Sequence, residues 1–206
     1  MLAVPFGRLA DIYGMKKIYI MGIIFFTIST FLAALSPSAY FLIFARVLQG
    51  IGSSMIFVTG MAIITLVFPP REMGKAIGIN VSAIFAGLVM GPLIGGILTQ
   101  SLGWRSIFYI IVPLGILTTI LAITQLRGKE WASCKGEKID LTGSVLYAIT
   151  LLLILAGFSE VTKFIGQLVI IAGLIELIGF VFWELRVDHP VLDIKLFLKN
   201  KIFAFS

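Results

Sequence analysis

A chain of 206 residues that is 59% hydrophobic and 13% charged, with a mean hydropathy of +1.10, cannot cover itself with polar surface. A soluble domain is nearer a quarter charged, so the composition excludes a water-soluble globular fold and places the chain in a bilayer. The net charge of +6 and isoelectric point near 9.6 call for no nucleic acid, because basic loops beside anionic lipid account for them.

In chain order, residues 1–6 are apolar but too short to span, and they lack the basic start of a signal peptide. Residues 7–17, GRLADIYGMKK, read as a charged tight turn between two apolar helices. Gly7 and Gly14 allow close approach and unusual dihedrals, Asp11 caps or pairs with a charge, and Lys16 and Lys17 hold the turn inside. Six apolar stretches follow at 18–35, 39–62, 75–99, 106–125, 141–158 and 164–183. Each approaches the length of about 20 residues that crosses roughly 30 Å of hydrocarbon. None alternates with the dyad period of a membrane β-strand, so the fold class is all-α, a polytopic transmembrane helix bundle with six complete spans.

With the 7–17 turn on the cytoplasmic side, thirteen of the sixteen Lys and Arg fall in cytoplasmic segments. Only Arg105 and Lys163 lie outside, and Arg46 lies within the membrane. This is the distribution of the positive-inside rule, in a cell-membrane protein that passes many times. The outer connections, at 36–38, 100–105 and 159–163, are short. The longest polar stretch, LRGKEWASCKGEKID at 126–140, sets the domain organisation. Residues 1–126 form a first partial bundle, 127–140 a cytoplasmic linker, 141–183 a helix hairpin, and 184–206 a cytoplasmic link with the start of a further helix. Both ends look like the interior of a longer protein, so the missing half of that protein is an expected partner.

Three runs carry chemistry. Arg46, in LIFARVLQGIGSS, lies about 10 Å inside its helix on the outer side, with Gln49, Gly50 and Ser53 on its face at i+3, i+4 and i+7. An arginine there costs on the order of 2–3 kcal/mol unless it snorkels to the outer surface or finds a partner. In GLVMGPLIGGIL, Gly87, Gly91 and Gly95 share one face, Gly96 adjoins it, and Pro92 frees the carbonyl of Leu88 and favours a kink. Such a face is a groove onto which another helix packs. Glu176 is the acidic residue deep in a span; it either stays protonated against lipid or a neighbouring helix, or carries protons.

The sole cysteine, Cys134, excludes an internal disulfide and a cysteine metal cluster, and the sole histidine, His189, reads as solvated or structural. No nucleophile–base pair, His/Glu metal motif or phosphate loop is present, so no enzyme activity, catalytic residue, metal or cofactor is expected.

The 7–17 turn resembles the loop signature of the major facilitator superfamily between its second and third helices. Ile12 and Met15 stand where that family often carries arginine. The Arg46 string resembles the family's fourth-helix motif, whose arginine is implicated in proton coupling. The glycine–proline run resembles the fifth-helix motif of its antiporters. Residues 103–113, GWRSIFYIIVP, look like the segment that follows in drug antiporters, with Ile111 in place of asparagine. Residues 184–203 look like the link after the extra central hairpin of the fourteen-helix drug:proton antiporters. The resemblance implies proton-driven export of a small amphipathic or cationic substrate by alternating access, with the proton gradient as driving force and Arg46, Gln49 and Gly50 as coupling candidates. The alternatives are a non-transporting truncated fragment, or a metabolite transporter of the same superfamily.

Overall fold

A bilayer offers the backbone no water, and a helix satisfies its own amides, so long apolar runs become helices here. The computed structural model describes residues 2–126, 131 and 140–187. Seven helices follow in order: α1 (Ala3–Tyr13), α2 (Met15–Ala34), α3 (Ala39–Val67), α4 (Pro70–Leu102), α5 (Arg105–Gln125), α6 (Leu141–Ser159) and α7 (Phe164–Glu184). Helices α2 to α7 are long and apolar enough to cross a membrane, and the described residues contain no strand. The fold is all-α with six candidate spans.

Two helices outrun the hydropathic stretches that announce them. Helix α3 continues to Val67, and α4 begins at Pro70 and ends at Leu102, with 33 residues. At 1.5 Å per residue α4 is about 50 Å long, against roughly 30 Å of hydrocarbon. At the start of α4 hydropathy registers the apolar middle and misses the polar turn PREMG, which remains helical, whereas the extension of α3, IITLV, is itself apolar. Pro70 sets the start of α4 as its first helical residue, where the missing N–H is unneeded.

The 7–17 segment also differs from a loop. Gly7 and Asp11 lie inside helix α1, and the break shrinks to Gly14, at φ 109°. One glycine in that region ends a helix at no steric cost, so the rest of the string need not unwind. The Met15 amide, just beyond, donates to the carbonyl of Trp131 at 2.8 Å.

The described chain forms two compact units, residues 2–12 with 140–187, and residues 13–126 with 131. In the larger unit α2 is the centre, packed on α3 and α5. Its contacts are built from small side chains: Ser29, Thr30, Ala33, Ala34, Ala45 and Thr59 are almost wholly buried. A Cβ on Gly52 would stand 2.7 Å from the Phe26 amide nitrogen, and one on Gly22 would stand 2.8 Å from Met55 Cβ. At Gly115 it would collide with Thr27 Oγ1. Membrane helices gain little from excluding lipid, so such close approach is what holds them. Hydroxyls here bond their own helices, as Thr27 Oγ1 donates to the Ile23 carbonyl at 2.7 Å. Helix α4 stands apart from this pattern, with no buried residue.

In the smaller unit α6 and α7 form a hairpin. A Cβ on Gly157 would stand 2.8 Å from the Ile170 amide nitrogen, and one on Gly173 would stand 3.1 Å from that of Ile154. Asp140 caps α6 by accepting from the Gly143 amide at 2.8 Å, and its other oxygen accepts from Trp183 Nε1 at 2.9 Å. One carboxylate thus ties the start of α6 to the end of α7. The link expected from residue 184 starts inside α7, because Glu184 is its last residue and is only 2% exposed. Cys134, His189 and residues 188–206 lie outside the described residues.

Candidate functional site

Ser38 caps α3, its hydroxyl accepting from the Phe41 amide at 3.3 Å, and Arg46 follows two turns inside. Its Nη1 donates to Gln49 Oε1 at 2.9 Å. Gln49, 6% exposed, donates from Nε2 to Thr30 Oγ1 of α2 at 2.7 Å. Thr30, fully buried, donates in turn to the Phe26 carbonyl at 2.7 Å. The four groups form one directed chain, each link a donor matched to an acceptor, running from a cation to the backbone of the central helix. On another side the guanidinium carbon lies 4.7 Å from the centroid of the Phe108 ring of α5. The arginine that either snorkels or finds a partner therefore has partners, an amide oxygen and a ring face, each of which offsets part of the cost of a cation at that depth. Arg46 as a whole residue remains exposed.

Gly50 does not join this constellation. It is exposed, and a Cβ there would meet nothing within 4 Å. The glycine that packs is Gly52, two residues on. Spacing from Arg46 picks out one face of the helix, whereas the helix crossing uses another.

The glycine run lies wholly within α4, which passes through Pro92 without interruption. A Cβ at Gly87, Gly91 or Gly96 would meet open space, and at Gly95 only Ile107 Cδ1 at 3.8 Å. Among the described residues the groove is therefore bare. Gly7, Asp11, Gly14 and Lys16 lie at the α1–α2 break described above. Glu176 is half-buried on α7 of the smaller unit. At the α4–α5 turn, Arg105 Nη2 donates to the Ser36 carbonyl at 2.7 Å and its guanidinium lies 4.3 Å from the centroid of Trp104. That contact joins the α2–α3 and α4–α5 connections.

Three adjoining cavities lie among α2, α3, α4 and α5, of about 650, 460 and 310 Å³. Asn80 of α4 lines all three, and Tyr19 and Gly60 line the two smaller ones. Sequence reasoning passed over both Asn80 and Thr30. The signal was there, since a carboxamide or hydroxyl inside a span is a candidate for interhelical bonding, but its partner lies on another helix.

The family model of the Major Facilitator Superfamily matches residues 1–159. Among curated relatives, the chain is 36% identical over 202 residues to riboflavin transporter RibZ of Clostridioides difficile, covering 97% of this chain and 43% of that protein. It is 30% identical to multidrug resistance protein 3 of Bacillus subtilis, over 97% of this chain and 40% of the relative. It is 32% identical to multidrug resistance protein Stp of Mycobacterium tuberculosis, over 93% and 36% respectively. The chain thus spans about two fifths of the length of these relatives. Six candidate spans and a family match over most of its length make this chain a multi-pass membrane protein of the Major Facilitator Superfamily, a family of transporters, with likeness to members named multidrug resistance proteins.

Proposed function

We propose that the complete transporter containing this chain exports small amphipathic or cationic compounds in exchange for protons, as a fourteen-helix antiporter working by alternating access. The observation that carries this reading is the chain from Arg46 through Gln49 to Thr30. It holds a cation at fixed depth through one guanidinium nitrogen, on a residue that remains exposed. A fixed positive charge stabilises the ionised form of any carboxylate brought beside it and releases that carboxylate's proton. If a rocking movement brings a carboxylate to Arg46 in one state and removes it in the other, proton binding is tied to the state of the transporter.

On this reading residues 1–126 belong to the first bundle, residues 141–183 form the extra central hairpin, and a second bundle is the missing half. The bare face from Gly87 to Gly96 seals or hinges against that half. Asp11 and Lys16, beside the Gly14 break, set the balance between inward- and outward-facing states, and Glu176 is a secondary proton site. Ethidium efflux from cells expressing the complete transporter is the test. Efflux that stops when an uncoupler collapses the proton gradient, with ATP held constant, agrees with the proposal; efflux indifferent to the gradient contradicts it.

The relative named as a riboflavin transporter favours a second reading, movement of one metabolite rather than many drugs. A competition panel separates the two. Inhibition of ethidium efflux by chemically unrelated cations supports the first, and inhibition by a single metabolite supports the second.

A further inference from the structure

The crevice around Asn80 has a chemistry of its own. The 460 Å³ cavity is lined by Tyr19, Phe26 and Phe57, by Met61 and Ser53, and by Asn80, with no charged residue in its wall. The adjoining 310 Å³ cavity shares Tyr19, Gly60 and Asn80 and is also free of charge. Glu72 and Lys75 line only the 650 Å³ cavity, which shares Asn80 with the other two. Volumes of a few hundred Å³ with aromatic walls and few polar groups are typical of small-molecule sites.

Asn80 is half-buried, and its carboxamide has no hydrogen-bond partner among the described residues. Within a membrane span lipid tails offer such an amide no hydrogen bond, a cost that a ligand can remove by supplying both an acceptor and a donor. A carboxamide presents one C=O and one N–H side by side, so its match is another adjacent donor–acceptor edge. Lipid tails offer neither, and a permanent cation would find ring faces but no carboxylate in these two cavities.

We infer that the crevice formed by Tyr19, Phe26, Phe57 and Asn80 is a subsite for an uncharged planar heteroaromatic ring bearing an adjacent N–H and C=O, as in a lactam or imide. The inference rests on the transport reading and narrows its substrate class. The ring stacks on the aromatic walls, and its lactam edge pairs with Asn80.

Binding of 6(5H)-phenanthridinone to this chain in lipid nanodiscs, followed by fluorescence anisotropy with empty nanodiscs subtracted, is the test. N-methylphenanthridinone, which lacks the donor, is expected to bind roughly tenfold more weakly. Asn80→Leu, an apolar change on a membrane helix, should abolish that difference while helicity by circular dichroism is retained. Gly60→Leu, whose side chain grows toward Tyr19 in the space shared by the two smaller cavities, should weaken both ligands. Equal binding of the two lactams, a ratio unchanged in Asn80→Leu, or ethidium binding more tightly than the lactam would each overturn the assignment. An Asn80-dependent ratio in a protein whose complete form shows no proton-driven export supports the subsite and removes the transport reading. Proton-driven export with an Asn80-independent ratio does the reverse.

Discussion

Gln49 uses both ends of one carboxamide, accepting from Arg46 and donating to Thr30 at 2.9 and 2.7 Å. Replacing it by leucine leaves the guanidinium with only the Phe108 face and removes an interhelical bond. Gln49→Leu is expected to destabilise the chain by about 0.5–2 kcal/mol, read as a lower midpoint in detergent unfolding. Gly50→Ala, into open space, should leave the midpoint unchanged or raise it, because alanine is the better helix former. Equal losses in the two variants would contradict the hydrogen-bond chain. The sequence showed the i+3 half of this site, since three residues along a helix is a fixed displacement. It could not show Thr30, which is 19 residues away on another helix and joins only through packing.

Helices here carry two kinds of glycine, packed and bare, and sequence spacing does not distinguish them. Gly52 sits at the α2–α3 crossing, where a Cβ would press on the Phe26 backbone at 2.7 and 2.9 Å. Gly52→Val should therefore cost about 1–3 kcal/mol by forcing the helices apart. Gly91→Ala should leave the stability of this chain intact, since nothing lies within 4 Å, while reducing flux through the complete transporter if that face meets the missing half. A melting comparison of both variants with the unmodified chain checks the first part, and an efflux assay the second. The more regular motif, four apart with a proline, turns out to be the bare one, while Gly22, Gly52 and Gly115 lack an obvious period and do the packing. Periodicity reports a face; which faces meet depends on several helices together. In the hairpin, Asp140→Ala removes both a cap and the Trp183 bond, and should cost about 1–2 kcal/mol. Hydrogen exchange at the Gly143 amide is expected to accelerate in this variant, while amides mid-α7 keep their protection.

At the scale of the whole chain, hydropathy was enough for six candidate spans, because a bilayer rewards long apolar runs, and the charge of the loops supplies an orientation to be tested. What they missed lies where that solvent argument weakens: the polar start of α4, and the charged α1 segment that is helical up to Gly14. The orientation predicts that Cys134 is shielded from a membrane-impermeant maleimide in intact cells, whereas Val161→Cys in a Cys134→Ser background is labelled; the opposite pattern inverts the topology. The central claim is that Arg46 links proton movement to transport. Its most direct measurement is substrate-driven proton flux in proteoliposomes of the complete transporter, comparing the unmodified protein with Arg46→Ala and Arg46→Lys. The account predicts that an outward substrate gradient drives protons inward in the unmodified protein, that the flux vanishes in Arg46→Ala, and that Arg46→Lys retains part of it. Undiminished proton flux in Arg46→Ala would contradict it.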